Sequence, residues 1–283
     1  MTFLDQLRAA TVQNQSLLCV GLDPQPERFP AGVGRDAEGL YDFCARIAEV
    51  TADLVCAFKP QIAYFAAHRA EAQLERLIAH LKRVAPQVPV ILDAKRGDIG
   101  STAEQYAREA FDRYGADAVT LSPFMGFDSV EPYLRYPGKG AFLLCRTSNP
   151  GGDDLQNQRL ASVDGQPLLY EHIARLAQGR WNVGGQLGLV VGATYPREIE
   201  RVRALAPTLP LLIPGVGAQG GDAAATVKAG WRGNAAGLAT GPVIVNSSRA
   251  ILYAGSGAED FAAAARAAAQ STRDALNAAR GDG

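Results

Sequence analysis

The sequence predicts a closed (β/α)8 TIM barrel, class α/β, and three observations point to it. Short apolar runs alternate with amphipathic helical stretches, which is the signature of βα units around a parallel sheet. Eight such runs are present, and charged residues stand at the carboxyl ends of the first three. A doubly wound open sheet is the competing architecture, but it would favour GxGxxG after the first strand, where GLDPQP stands instead. Roughly 250 residues commonly make one such barrel, so residues 1–283 read as a single domain with no repeat or linker.

The strand candidates are Leu17–Leu22, Leu54–Phe58, Val88–Asp93, Ala118–Leu121, Ala141–Cys145, Leu187–Val191, Leu211–Ile213 and Val243–Asn246. Helices are expected over Asp36–Thr51, His68–Val84, Ser101–Tyr114 and Gln166–Gln178. An opening helix at Phe3–Thr11 would close the barrel floor, and the alanine-rich stretch Ala258–Ala279 suits a terminal helix because alanine has the best helix propensity. Two connections are long. Thr147–Gly165 is polar and glycine-rich, as a lid would be, and Lys228–Gly241 reads as a surface turn.

Composition narrows the function. With 28 Lys plus Arg, 29 Asp plus Glu and a net charge of -1, nothing draws the chain generally to nucleic acid or to an anionic membrane. A small ligand is the simpler expectation. Cys19, Cys44, Cys56 and Cys145 form no CxxC and read as buried free thiols in a reducing compartment. His68, His80 and His172 have no HxxxH or HExxH spacing, so no zinc centre is expected. The amino terminus lacks a basic start with an apolar h-region, and no run approaches a membrane span, which predicts a cytoplasmic protein.

The densest chemistry lies in VILDAKRGDIGST, Val90 to Thr102. Residues two apart in a strand share a face, so Asp93 and Lys95 should point one way and Arg96 the other, with Gly97 allowing the turn to Asp98. Taken alone this could be a structural ion pair. Asp23 after CVGL and Lys59 after CAF add two more strand-end charges, and a barrel would gather all five at its carboxyl rim. Their signs nearly cancel, as a buried network requires.

IPGVGAQGGD, Ile213 to Asp222, is a strand, a glycine-rich turn and a helix start, a geometry that presents free backbone N–H groups to an anion. On its own it could be a tight turn. The next strand ends in NSSRAI, and Arg249 there adds a forked donor for phosphate oxygens.

These segments together resemble the orotidine 5'-phosphate decarboxylase family: CVGLDP at 19–24, FKPQIAYF at 58–65, LDAKRGDIGSTA at 92–103, TSNPG at 147–151, PGVGAQGGD at 214–222 and the arginine of NSSRAI. They occur in the family's order over almost the whole chain, and LDAKRGDIGSTA is similar to its longer bacterial branch. The resemblance implies decarboxylation of orotidine 5'-monophosphate to UMP without metal, flavin or pyridoxal phosphate. It implies that Asp23 and Lys59 hold the ribose hydroxyls, that Asp93 lies beside the substrate carboxylate and that Lys95 donates the proton. Asp98, Ile99 and Thr102 are implied to enter the partner's site in a homodimer. Ser148 would bond the pyrimidine, Gln219 would span base and phosphate, and Pro214, Gly220, Gly221 and Arg249 would line the phosphate end. Family members often carry a phosphate-binding tyrosine shortly after the arginine, and Tyr253 stands at a spacing that does not align. Two other readings are a metal-dependent enzyme acting on a sugar phosphate, against which Lys59 stands where an acid is wanted, and a noncatalytic phosphate-ligand binder, for which Asp93, Lys95 and Asp98 would be dispensable.

Overall fold

A computed structural model describes residues 1–216, 221–233, 240–255 and 260–280. Eight strands run β1 (Leu18–Leu22), β2 (Ala57–Pro60), β3 (Ile91–Arg96), β4 (Ala118–Leu121), β5 (Gly140–Arg146), β6 (Leu187–Val191), β7 (Leu211–Pro214) and β8 (Val243–Ser247). They pair in parallel in the order β2-β1-β8-β7-β6-β5-β4-β3. The two ends of that order meet through Phe58↔Val90 and Gln61↔Asp93 bridges, with Phe58 N donating to Pro89 O at 3.0 Å. The sheet is therefore a closed barrel, as expected from the sequence.

Closure divides the core in two. Inside the barrel, Cys19, Ala57, Ile91, Phe142, Leu212 and Ile244 form one apolar layer, and Phe3 and Leu7 plug it from below. Those two residues come from the opening helix, Phe3–Gln13, whose Thr2 and Asp5 form a capping box. Phe3 meets Phe142 edge to face at 5.7 Å between ring centres. The larger apolar layer lies between the sheet and the surrounding helices, which is why β1, β2, β4 and β6 are buried along their whole length. Among the described residues no helix is long and apolar enough to cross a membrane.

Several boundaries differ from the expectation, each for a local reason. β2 starts at Ala57 rather than Leu54, because the carbonyls of Leu54 and Val55 are taken by Ser16 Oγ and Asn14 Nδ2, both at 2.7 Å. β3 starts at Ile91 rather than Val88 and continues to Arg96. The Val90 amide is held by the Asp117 carboxylate at 3.0 Å instead of by a neighbouring strand. The helix expected from Gln166 begins at Leu169, since Gln166 sits in a left-handed conformation (φ 42°) and Arg159 bridges to Leu168. The stretch expected as one helix over Ser101–Tyr114 is an α-helix, Gly100–Arg108, followed by a π turn, Glu109–Arg113.

The terminal helix is Phe261–Ala278, capped by Asp260; Ala258 lies outside the described residues. Lys228–Gly241 is not simply a surface turn. Its first three residues finish the helix Ala223–Gly230, and Trp231 is buried in the core with the Arg280 guanidinium 5.1 Å from its ring centre. Residues 234–239 lie outside the described residues.

Candidate active site

At the carboxyl ends of the strands the barrel opens into a cavity of about 460 Å³, within the usual range for a small-molecule site. Asp23, Lys59, Asp93 and Lys95 all line it, from three different strands. Lys59 Nζ lies 2.8 Å from Asp93 Oδ2, and Lys95 Nζ lies 2.6 Å from Asp93 Oδ1. The carboxylate is thus clamped between two ammonium groups. Lys59 and Asp93 are only 4% and 6% exposed, whereas the Lys95 side chain is 46% exposed and faces open space. One Oδ of Asp23 is buried without a protein partner among the described residues.

The contact between Asp93 and Lys95 does not come from simple strand alternation. Between Leu92 and Arg96 the register of β3 against β4 slips, and Lys95 adopts a left-handed backbone at φ 47°. For a non-glycine residue that conformation costs about 1–2 kcal/mol. The left-handed turn is made at Lys95 and at Gly100 (φ 56°), not at Gly97. Arg96 does face away, to Glu109 at 2.8 Å and over the Tyr106 ring at 4.4 Å.

Burial alone would push the Asp93 carboxyl up, but the charges of Lys59 and Lys95 and their hydrogen bonds outweigh it and hold Asp93 well below the carboxylate range. For Lys59, burial disfavours the charged form, and the carboxylates of Asp93 and Asp23 more than restore it, so that its value rises. The stabilisation tied to Asp93 is therefore complete above its unfolded value of about 4 and is lost as pH falls toward the lower folded value. Thermal melts between about pH 6 and pH 2.5 should show this acid limb, and the Asp93→Asn variant should show a flatter one.

The phosphate side is built from the neighbouring loops. Pro214, Gly215, Val216, Ser248 and Arg249 line the cavity. Gly215 has φ 104°, a conformation that favours glycine, and its carbonyl accepts the Gly221 amide at 3.1 Å. Asp222 caps the next helix through Ala225 N at 2.7 Å. Gln219 and Gly220 lie outside the described residues.

Ser148 also lines the cavity, with Thr147 and Asn149. The first part of the expected lid is anchored there. Arg146, 1% exposed, bonds Asp153 at 2.5 Å and stacks over Tyr195, and Gln156 Oε1 accepts the Thr147 amide at 2.8 Å. Tyr253 does not line the cavity; its hydroxyl donates to Asp23 O at 3.1 Å and accepts from Gln25 N at 2.7 Å.

Asp98, Ile99 and Thr102 stand apart from this cavity. Ile99 and Thr102 are exposed on the rim, and Phe124 and Met125, in the loop after β4, are exposed too. Several polar residues of the site did not stand out in the sequence, among them Thr120, Asn246 and Ser248. Thr120 is a lone polar side chain inside an apolar strand run, and that interruption is the available signal, whereas Asn246 begins the polar end of β8. Gly21 makes room here, since a methyl on it would collide with Ser248 Oγ and crowd Asn246 Oδ1. Among the described residues, no group of three or more His, Cys, Asp or Glu side chains is placed to hold a metal ion.

The family model described as orotidine 5'-phosphate decarboxylase / HUMPS matches residues 16–267. The chain belongs to this family. A protein of Paracidovorax citrulli named orotidine 5'-phosphate decarboxylase is 80% identical, covering 99% of this chain and 100% of its own. One of the same name from Polaromonas naphthalenivorans is 79% identical, covering 100% of this chain and 98% of its own. Among solved structures, that of Leishmania donovani OMP decarboxylase aligns with a TM-score of 0.84 at 40% identity, over 99% of both chains. The family likeness thus extends through every strand that supplies the cavity.

Proposed function

We propose that this family member converts orotidine 5'-monophosphate to UMP and CO2, the last step of de novo pyrimidine synthesis, with Lys95 as the proton donor. The observation that carries the mechanism is the ion chain Lys59–Asp93–Lys95, which ends on an ammonium group facing the cavity. Breaking the bond from the ring carbon to the carboxylate leaves an electron pair on that carbon with no adjacent carbonyl to delocalise it. A fixed positive charge is what such a carbanion needs, and Lys95 supplies both the charge and the proton that ends the reaction. Asp93 keeps the ammonium in place before substrate arrives. Arg249 and the glycine turn offer donors to the phosphate, whose binding energy is remote from the reacting carbon and serves to align it.

The metal-dependent reading on a sugar phosphate is less well supported, because both Asp93 oxygens already face ammonium groups and a divalent cation would have to displace them. Turnover of orotidine 5'-monophosphate by purified protein in excess EDTA tests the choice. Full activity is expected. Activity that vanishes with the chelator and returns with Mg²⁺ would favour the alternative.

The exposed Ile99, between Asp98 and Thr102 in the chain, and the exposed Phe124 and Met125 after β4 suit a surface that a second copy covers, bringing Asp98 and Thr102 to the neighbour's site. A homodimer of this kind makes a sharp prediction. When inactive Lys95→Ala and Asp98→Ala subunits are mixed equally and allowed to exchange, about one quarter of the sites should be intact. Failure to regain activity despite exchange would place both residues in one subunit's site.

A further inference from the structure

We propose that the Thr120 hydroxyl is the positioning group that sets the proton donor, holding the Lys95 backbone and the Asp93 carboxylate together. Thr120 lies on β4 and is 1% exposed. Its oxygen accepts the amides of Ala94 and Lys95, both at 3.0 Å, and donates to Asp93 Oδ1 at 2.8 Å. A hydroxyl has one hydrogen and two lone pairs, so all three capacities are used. The two accepted amides fix the direction of the hydrogen, and it points at the oxygen that also meets Lys95 Nζ.

The local backbone explains why this bond matters. The slipped register between Leu92 and Arg96 takes Ala94 and Lys95 out of the regular ladder with β4, and the Thr120 side chain receives both of their amides. It thereby supports the left-handed conformation of Lys95. Without the oxygen, two partly buried amides lose their acceptor and Lys95 loses the restraint that aims its ammonium at the cavity. Asp93 loses one donor to its charged form. The charged and titratable groups around that carboxylate are Lys59 from β2, Lys95 from β3 and Cys19 from β1, with Asp23, just after β1, acting on Lys59, and Thr120 contributes the neutral donor from β4.

Thr120→Val keeps the shape and removes the hydroxyl, and Thr120→Ser keeps the hydroxyl and removes the methyl. The activity arm rests on the decarboxylase assignment, which wild-type turnover of orotidine 5'-monophosphate tests first. Thr120→Val is expected to lower kcat roughly 100-fold with KM within about threefold, because the binding groups are untouched, and Thr120→Ser should restore most of kcat. A second readout needs no substrate. The acid limb of thermal stability should move to higher pH in Thr120→Val and return in Thr120→Ser, since losing a donor raises the Asp93 value. Wild-type kcat and an unmoved acid limb in Thr120→Val would overturn the proposal. So would a Thr120→Ser variant as impaired as Thr120→Val, which would assign the effect to methyl packing. If the wild-type chain does not turn the substrate over, the assignment of function fails, and the acid limb still decides whether Thr120 acts on Asp93.

Discussion

Lys95→Ala is expected to lower kcat by roughly 10³-fold or more while leaving the fold intact, since the residue supplies both general-acid and electrostatic assistance. The Lys95 side chain is nearly half exposed and contributes little to the core, and Asp93 retains Lys59 at 2.8 Å and Thr120 at 2.8 Å after its removal. Circular dichroism and melting temperature should therefore change little. The variant should still bind UMP, because Pro214, Gly215, Val216, Ser248 and Arg249 in the cavity wall are unaffected. Measuring kcat and UMP affinity on the same preparation separates lost chemistry from lost binding. An equal loss of both would place Lys95 among the binding groups.

Lys59→Met should have the largest effect on stability. Lys59 is 4% exposed and its ammonium is the deepest positive charge of the network. Removing one partner of a buried pair leaves the other charge uncompensated, which costs about 3–5 kcal/mol. Here Lys95 still faces Asp93, so a loss near the lower end, about 3 kcal/mol, is expected. Asp93→Asn in the same chain should recover part of it, since the buried charge disappears along with its partner. Urea unfolding of the two single variants and the double variant gives the coupling. Strict additivity would contradict a shared network. Activity should fall in all three, because Asp93 orients Lys95.

Much of this site could be read from residue types alone, because a barrel delivers strand ends to one rim. Asp23, Lys59, Asp93 and Lys95 each follow an apolar run, and the cavity collects all four. What the pattern could not show was how Lys95 reaches Asp93. Strand alternation suggested the correct neighbours, but the contact depends on a register slip and a left-handed lysine held by a hydroxyl from the next strand. Such a bond joins residues 25 positions apart, and no local spacing encodes it. The start of β2 was misplaced for a similar reason, as Asn14 and Ser16 take carbonyls that a sheet neighbour would otherwise bond. Trp231 sat among glycines and polar residues and read as surface, yet it is buried beneath Arg280. Tyr253, whose role the family resemblance left open because its spacing does not align, has its hydroxyl on the backbone of the Asp23 loop.

The most direct measurement follows orotidine 5'-monophosphate with wild-type and Lys95→Ala protein side by side, quantifying UMP and CO2 as the orotate absorbance falls. One UMP and one CO2 per substrate consumed by the wild type, with turnover lost in Lys95→Ala, is the predicted result. No turnover by the wild-type chain, or undiminished turnover by Lys95→Ala, would contradict it.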